Sequence, residues 1–434
     1  MQPAKKDSPA AVPQTVLNAV ATGFLIRAAW ILLLHTYRFR VTEDHFAFGY
    51  ETGRIARALA LGQGFSNPFH GITGPTAWEA PVYPYLLALV FKLTGVYTPL
   101  SAILILAANS LLSALTALPV YLAAKKLFGP RTAKWSAWAW ALLPYTMYWA
   151  ARWVWETSLT TFLLTTAFWL TLELADATGK RALRLWLWFG FLWGVIALTN
   201  PTCLTFLPFA GAWACRRLAR RKERWLLPAI SSALVFGAVI TPWEVRNFVV
   251  FRAVVPIRSN AGAELRLGNS ADASGIWMAW LHPTQDVLQM RAYEQMGEIA
   301  YSGMRGREAL DFMRRQPGLA AALLLEKFIY YWAGVPRSFE MWWQAVVKDP
   351  VFPASAILAW WGLGLMLLRR VRGSAVFAML LFVYPLSFYV VYPHARYRHP
   401  IEPVMLILIV YLLSQTRELR GGEAAPATED HPYT

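Results

Sequence analysis

The acidic residues early in the chain are the first candidates for chemistry. Glu43 and Asp44 follow the first apolar segment, and Glu51 opens a stretch in which Ile55 and Leu59 recur at near-helical spacing. This spacing predicts an amphipathic helix that starts at Glu51 and lies on a membrane surface. A carboxylate held at that boundary is able to take a proton from the hydroxyl of an acceptor.

The same acids also have a structural interpretation. Glu43 and Asp44 would then cap a helix or stay solvated, and Glu51 would pair with Arg54 three residues later. The sequence favours neither interpretation over the other.

A stiff, aromatic turn supplies a further acid. Residues 74–85 contain three prolines together with Trp78, Tyr83 and Tyr85, and Glu79 lies directly before the next apolar run. Trp and Tyr are favoured at the level of lipid headgroups, so an ordinary aromatic belt is the alternative. That alternative leaves Glu79 unexplained, and we assign Glu79 and Tyr83 to substrate binding.

Several polar residues lie within or at the edge of apolar segments. Arg152 and Glu156 are four residues apart, which predicts that they reach each other on one helical face. Ionisable groups inside a membrane are costly and therefore suggest function, so we expect Glu156 to face the same outer cavity as the acidic loop. A purely structural ion pair stays open. Asn200 is a further candidate, and Arg27 has no partner that the sequence identifies.

Arginines near the ends of later apolar segments indicate a phosphate site. Arg246 and Arg258 follow the seventh segment, and Arg396 and Arg398 stand with His394 just before the last one. Guanidinium groups bind phosphate oxygens in a fork. On the outer face they depart from the positive-inside tendency, although snorkelled arginines that bind headgroups are the alternative.

Composition identifies the class of protein that must hold these groups. The chain has 434 residues, 57% apolar and 15% charged, and its mean hydropathy is +0.37. A soluble domain carries about a quarter charged residues, so this is an integral, multi-pass membrane protein. The net charge of +16 does not indicate nucleic acid, because the cations cluster at the ends of apolar segments. They are typical of cytoplasmic anchors.

The apolar lengths predict about ten membrane spans with both termini in the cytoplasm. The spans are residues 16–34, 100–123, 133–150, 154–174, 185–199, 201–215, 225–241, 351–368, 374–392 and 401–414. Residues 82–95 and 318–334 are assigned to outer-face juxtamembrane helices, the alternative being two true spans that reverse everything between them. One domain, residues 1–420, then has outer loops at about 35–99 and 242–350, and residues 421–434 form a polar cytoplasmic tail.

Nothing in the sequence requires a cofactor. Cys203 and Cys215 are too far apart on one helix for a disulfide, and there is no P-loop or dinucleotide fingerprint. His45, His70 and His282 with Glu51 or Glu79 leave a divalent metal open, but no ligand spacing supports one.

Together these segments resemble bacterial members of the GT-C superfamily of membrane glycosyltransferases, in particular the group of protein O-mannosyltransferases and lipid A aminoarabinose transferases that use polyprenyl-phosphate sugars. The resemblance rests on the acidic first loop with residues 54–57 and 62–65, on residues 80–84, on Arg152 with Glu156, on residues 199–201, on Pro242, Trp243, Arg246 and Asn247, and on Arg396, Tyr397, Arg398 and Pro400.

The resemblance implies an all-α GT-C bundle and assigns roles to residues. An acid of the first loop is the base. Because relatives have an Asp-Glu pair where this chain has Glu43 then Asp44, Asp44 and Glu51 are rival bases. Glu156 matches an acidic position that faces the same cavity, so the catalytic candidates are Asp44, Glu51 and Glu156. Assigned to substrate binding are Glu43, Arg54, Glu79, Tyr83, Arg152, Asn200, Arg246, Arg258, His394, Arg396 and Arg398.

The implied reaction is transfer of one sugar, with inversion, from a polyprenyl phosphate to an acceptor hydroxyl or amine at the outer face of a bacterial inner membrane. The acceptor is a glycan, a lipid or a protein, membrane lipids are partners, and nucleic acid is not. Arg246, Arg396 and Arg398 would stabilise the departing lipid phosphate. Alternatives are a polytopic lipid or solute transporter or flippase, and an enzyme like an O-antigen ligase or polymerase.

Overall fold

The computed structural model describes residues 13–39, 48–336 and 341–421 of the chain. Glu43, Asp44, His45 and all but the first residue of the predicted polar tail lie outside the described residues. Within these ranges the chain is helical, with turns and an isolated bridge between Ser66 and Pro75. The all-α expectation is therefore confirmed for the described residues.

The first half of the chain forms ten of these helices. They are α1 (Gln14–Leu33), α2 (Glu51–Ala60), α3 (Val82–Thr94), α4 (Pro99–Leu115), α5 (Ala117–Leu142), α6 (Pro144–Arg152), α7 (Thr157–Leu174), α8 (Gly179–Ala197), α9 (Leu207–Arg220) and α10 (Leu226–Phe251). A short 3₁₀ helix, Pro201–Thr205, joins α8 to α9.

The second half continues with shorter helices before the final apolar ones. They are α11 (Ala261–Leu267), α12 (Val287–Met296), α13 (Glu298–Arg315), α14 (Pro317–Ala333), α15 (Trp342–Lys348), α16 (Val351–Leu368), α17 (Ser374–Val383), α18 (Leu386–Val390), α19 (Ala395–Arg398) and α20 (Glu402–Gly421). Ala279–Leu281 and His399–Ile401 are 3₁₀ helices.

Each predicted span coincides with one or more helices, but the breaks differ. Helix α5 bends at Gly129, whose φ is +82°, and ends before Pro144, so residues 133–150 are not one helix. Helix α10 continues across Pro242 to Phe251, so the second outer loop begins later than predicted. Pro144 follows the end of α5, whereas Pro242 is accommodated inside α10. Hydropathy alone does not distinguish these two cases.

Membrane insertion follows from the longest apolar helices. By length and composition, four helical stretches of the described chain are able to cross a membrane: Gln14–Leu33, Pro99–Leu142, Leu226–Phe251 and Val351–Leu368. The protein is therefore an integral membrane protein, whereas the number of ten crossings stays a prediction.

Arg27 is completely buried inside the bundle, where it joins α1 to α5. Its guanidinium donates to the carbonyl oxygens of Gly23 and Ala141, both at 2.9 Å, and to the hydroxyls of Ser113 and Thr146, both at 3.2 Å. The last carbonyls of a helix have no partner within that helix. Arg27 supplies one at the point where α5 ends before Pro144, which gives this residue a structural role.

Ion pairs gather basic residues at one end of the bundle. Lys126 of α5 lies 3.0 Å from Glu173 and 3.1 Å from Asp176, at the end of α7. Arg181 approaches Glu173 to 2.8 Å, and Arg221 approaches Asp176 to 3.5 Å. Arg372 also contacts Asp176, so basic residues from four separate stretches of the chain lie together, and their cytoplasmic orientation stays a prediction.

At the other end, the two loops that are predicted to face outward, here called the outer loops, pack against each other. Helix α2 begins at Glu51 as predicted, but Ile55 and Ala56 are fully buried, so α2 is packed within the protein and does not lie freely on a surface. Phe69 and Trp78 of the first loop pack with Tyr293 of the second. The packed loops cover the cavity described next.

Candidate active site

A cavity of about 560 Å³ lies between the outer loops and the ends of the apolar helices. Five parts of the chain line it: the first loop with Tyr50, Glu51 and Glu79; the residues just before α7, Trp155 and Glu156; Asn200, just before the 3₁₀ helix Pro201–Thr205; the second loop with Arg258, Glu264, Trp277, His282 and Thr284; and the last outer segment with Tyr392, His394, Arg396 and Tyr397. The volume is in the range of small-ligand pockets.

Glu156 and Arg396 form one charged pair in the cavity. The carboxylate of Glu156 lies 3.6 Å from the guanidinium of Arg396. The guanidinium carbon of Arg396 lies 4.2 Å from the ring centre of Trp155 and 5.0 Å from that of Tyr397, both in cation–π geometry. Burial alone would lower the pKa of Arg396, but Tyr397 and Glu156 outweigh it and raise that pKa. Arg396 therefore keeps its charge.

The predicted partnership of Arg152 with Glu156 is absent because a helix break separates them. Arg152 ends α6, whereas Glu156 stands just before α7, so the two do not share a helical face. Arg152 is exposed and lies outside the lining of the cavity. Glu156 turns to Arg396 instead.

Glu79 and Arg258 form the second charged pair. The carboxylate of Glu79 lies 3.0 Å from the guanidinium of Arg258, whose Nε also donates to the carbonyl oxygen of Trp78 at 3.0 Å. Burial raises the pKa of Glu79 to about 8, against the attraction of Arg258 and with help from Glu156. This pair joins the two outer loops at the edge of the cavity.

Glu51 faces the cavity from the first turn of α2. Its Oε1 accepts a hydrogen bond from the Thr284 hydroxyl at 3.1 Å, and Nε2 of His282 lies 3.6 Å from the same oxygen. Gly49, two residues earlier, has φ of +88°, and a Cβ there would lie 2.3 Å from the carbonyl oxygen of Val154. Only glycine lets the first loop pass so close to the start of α7.

His394 caps the short helix that carries Arg396. Its Nδ1 accepts a hydrogen bond from the backbone N–H of Arg396 at 3.2 Å. Burial, with the charge of Arg396 nearby, lowers the pKa of His394 to about 3. The imidazole is therefore neutral at physiological pH, and Arg396 is the cation of this segment.

Arg246 and Arg398, both expected at the phosphate, lie outside the lining of the cavity. Arg246 donates to the carbonyl oxygens of Thr76 at 2.7 Å and Phe65 at 2.9 Å, so it holds the first loop. Arg398 is 1% exposed and points into the bundle, where it contacts Glu402 at 3.2 Å and donates to the carbonyl oxygen of Phe352 at 2.8 Å. Both guanidinium groups donate to backbone carbonyl oxygens. They therefore do not lie at the cavity, where the sequence analysis expected them.

Two further predicted residues support the site from outside. Arg54 is buried and donates to the carbonyl oxygen of Pro68 at 3.4 Å, and its guanidinium lies 3.5 Å from His70. The hydroxyl of Tyr83 lies within hydrogen-bond distance of the Asn109 side chain, at 2.9 and 3.1 Å. Neither lines the cavity.

The structure adds lining residues that sequence reasoning missed. Glu264 accepts a hydrogen bond from the Tyr392 hydroxyl at 2.7 Å and another from Asn260 at 3.0 Å, so it links the second loop to the last outer segment. His282 was considered only as a metal ligand, and Thr284 and Trp277 were not singled out. A signal was available for Glu264 alone, because it is an acid near Arg258 in a loop assigned to the outer face.

The described residues offer little for a metal. They contain no group of three or more His, Cys, Asp or Glu side chains arranged to hold an ion. Glu51 and His282 provide two donors near each other. Cys203 and Cys215 are both free thiols, and Cys203 is buried.

The fold is similar to that of a protein of known structure. AglB, an oligosaccharyltransferase from Archaeoglobus fulgidus, has a TM-score of 0.55 at 14% identity in its complex with an inhibitory peptide and a dolichol-phosphate, over 95% of this chain and 52% of AglB. Its apo form gives 0.54 at 15% identity, over 93% and 51%. This chain thus spans about half the length of AglB. Because AglB is a GT-C membrane glycosyltransferase, the chain shares the GT-C fold, and the resemblance predicted from the sequence is confirmed.

Part of the chain also matches a known family. Residues 78–243 match the family described as dolichyl-phosphate-mannose-protein mannosyltransferase. The match covers less than half of the chain and includes Glu79, Glu156 and Asn200. ArnT from Cupriavidus metallidurans gives a TM-score of 0.36 at 17% identity, over 91% of this chain and 78% of ArnT, too low to support an argument about the fold. No curated protein sequence matches the chain.

Proposed function

We propose that this protein is an inverting glycosyltransferase that moves a sugar from a polyprenyl phosphate to an acceptor hydroxyl or amine at the outer face of a bacterial inner membrane. One observation carries the proposal. Two arginines, Arg258 and Arg396, line the same cavity as Glu51, although these residues are far apart in the sequence. Carboxylates and guanidinium groups facing one small cavity suit a reaction that moves a proton and releases a phosphate.

Arg258 and Arg396 are the proposed ligands of the donor phosphate. When the bond between the sugar C1 and the phosphate oxygen breaks, negative charge grows on the departing phosphate, and preorganised cations stabilise it. Both guanidinium groups are oriented, Arg258 by Glu79 and Trp78 and Arg396 by Glu156 and Trp155. Arg396 keeps the role that the sequence assigned to it, and Arg258 takes the place that the sequence assigned to Arg246 and Arg398.

The acceptor loses its proton to a carboxylate as its oxygen or nitrogen forms the new bond to C1. Among the described acids Glu51 fits this role better than Glu156, because Glu156 faces the guanidinium of Arg396, whereas Glu51 faces a threonine hydroxyl and a histidine. Asp44 remains its rival. Glu156 is then the residue that orients Arg396.

The lipid of the donor enters, in this proposal, from the membrane side of the cavity. Leu204, Phe388 and Val391 line that part, next to α18 and the 3₁₀ helix Pro201–Thr205. The AglB complex with a dolichol-phosphate, on the same fold, supports a lipid phosphate donor. The acceptor is a glycan, a lipid or a protein.

The test is release of polyprenyl phosphate from a polyprenyl-phosphate sugar by purified protein. We expect Arg396→Gln to lower turnover by about 10² to 10³ with little change in thermal stability. Arg398→Gln is the matched control, two residues away. It leaves buried Glu402 without its arginine and should lower the free energy of unfolding by about 3–5 kcal/mol, while the folded fraction stays active.

The base is tested in the same assay with Glu51→Gln, Asp44→Asn and Glu156→Gln. Loss of turnover in the first or second variant identifies the base. Full activity in both would contradict a first-loop base. A wild-type protein that releases no polyprenyl phosphate from any such donor would refute the proposed function.

A further inference from the structure

Glu298 is a buried carboxylate that lies outside the cavity and begins α13. Its side chain is almost inaccessible, with the residue 6% exposed. Its Oε1 accepts hydrogen bonds from the backbone N–H of Ala77 at 2.7 Å and the hydroxyl of Ser259 at 2.6 Å. Its Oε2 accepts them from the hydroxyls of Thr76 at 2.5 Å and Tyr293 at 2.9 Å. Both carboxylate oxygens are thus fully used.

Three of the four donors belong to the two segments that carry the second charged pair of the cavity, and the fourth, Tyr293, belongs to α12. Thr76 and Ala77 come just before Glu79, and Ser259 directly follows Arg258. The backbone N–H of Ser259 also donates to the carbonyl oxygen of Ala77 at 2.9 Å. Glu298 therefore fastens both outer loops within a few residues of the point where Glu79 meets Arg258.

A buried charge holds two loops together only at a large desolvation cost. Burial of a carboxylate is unfavourable unless hydrogen bonds replace its water. Apolar packing already joins these loops, through Phe69, Trp78 and Tyr293. What a carboxylate adds is direction, because charge-assisted hydrogen bonds are short and fix angles as well as distances. A need for fixed geometry where Glu79 meets Arg258 would explain why a carboxylate is buried here.

We propose that Glu298 is a positioning residue that sets where Arg258, held by Glu79, meets the donor phosphate. The inference rests on the proposed function, since it takes Arg258 to be a phosphate ligand. The four hydrogen bonds of Glu298 are here called the clamp. Small displacements of a phosphate ligand are costly in an active site, so loosening the clamp should weaken donor binding specifically.

The primary variant is Glu298→Gln, which keeps the size of the side chain. The amide nitrogen cannot accept hydrogen bonds, so the bonds at one end of the group are lost or reversed. We expect the KM for the polyprenyl-phosphate sugar to rise by about tenfold or more, with the KM for the acceptor unchanged. A role in stability alone would lower the amount of folded protein but move neither KM.

Glu308→Gln is the matched control on the same helix. The carboxylate of Glu308 lies 3.2 Å from Arg266 and 2.8 Å from Arg305, and among the described residues it makes no hydrogen bond or ion pair with residues 76–79 or 258–259. This variant should lower thermal stability and leave the donor KM unchanged. An unchanged donor KM in Glu298→Gln, or an equal rise in both variants, would overturn the inference. If Glu298→Gln does not fold, Tyr293→Phe removes one bond of four and should raise the donor KM about twofold to fivefold.

Amide hydrogen exchange separates this inference from the proposed function. Exchange at Ala77 and Ser259 should be faster in Glu298→Gln than in wild type, and unchanged in Glu308→Gln. If the wild-type protein proves inactive on every donor, the proposed function fails, and faster exchange still supports the clamp. Unchanged exchange at both amides would refute the clamp whatever the activity.

Discussion

At the scale of single residues, the cavity is defined by cations that are already paired with carboxylates. Arg258 and Arg396 each contact one glutamate, so the donor phosphate of the proposed reaction would compete with Glu79 and Glu156 for them. Competition is weakest where the glutamate is neutral. The raised pKa of Glu79 therefore has a direct consequence for phosphate binding.

The first prediction concerns pH. Below its pKa of about 8, Glu79 is protonated, and the charge of Arg258 is available to the phosphate. Above it, the ionised carboxylate neutralises Arg258, so the KM for the donor should rise about tenfold between about pH 7 and about pH 9. Steady-state kinetics of Glu79→Gln provide the control, because that variant should lack this rise. A donor KM that is flat with pH in the wild type would contradict the prediction.

Residue types and spacing identified part of the site. Glu51, Glu79, Glu156, Asn200, Arg258, His394 and Arg396 were all selected from the sequence, and all line the cavity. The sequence did not separate Arg396 from Arg398, because both belong to the four-residue helix α19 and only packing decides that one faces the cavity and the other faces the bundle. Glu43 and Asp44 lie outside the described residues, so their roles stay predictions.

At the scale of elements, the site depends on how closely the first loop approaches the start of α7. Gly49 lies against the carbonyl oxygen of Val154, and the rings of Tyr50 and Trp155 stack nearly parallel, 6.3 Å apart. Glu51 and Glu156, one residue beyond each ring, thereby come to the same cavity. A wider approach would move both acids.

The second prediction tests this approach with Gly49→Ala. The added Cβ would clash with Val154, separate the two elements and lower turnover by about tenfold to a hundredfold. Gly62→Ala is the control, because Gly62 has a similar φ of +79° but no atom within 4 Å of the added Cβ. It should cost about 1–2 kcal/mol of stability from backbone strain alone. Equal activity of the two variants would argue against the close approach.

Helices were predicted more reliably than their ends. Apolar length located helices in all the predicted spans and in the two segments that are now α3 and α14, whose position beside the membrane stays a prediction. Pro144 ends a helix while Pro242 lies inside one, and the difference depends on tertiary partners such as Arg27, which accompanies the break at Pro144. The burial of α2 likewise depends on the packed loops, which single-sequence periodicity does not report.

At the scale of the molecule, the two ends of the bundle differ in chemistry. One end gathers lysine and arginine around Glu173 and Asp176, and the other holds the cavity with its paired charges. The positive-inside tendency assigns the first end to the cytoplasm. On this prediction the cavity opens outward, as the proposed function requires.

The third prediction tests that orientation by cysteine labelling in intact cells, in a Cys203→Ala, Cys215→Ala background. Arg220→Cys and Asp272→Cys change exposed residues at the two ends. An impermeant thiol reagent should label Asp272→Cys from outside, and Arg220→Cys only after the membrane is opened. The reverse pattern would invert the topology.

The contact between Arg27 and the carbonyl oxygen of Ala141 spans 114 positions of the sequence. Ribosomes deliver α1 long before that oxygen exists, so for an interval of synthesis Arg27 has the carbonyl oxygen of Gly23 but none of its acceptors from later helices. All the acceptors of Arg27 that lie outside α1 belong to α4, α5 and α6, so the packing of α1 is complete only after those helices have been made. The burial of this one guanidinium group thus depends on a helix that is synthesised more than a hundred residues later.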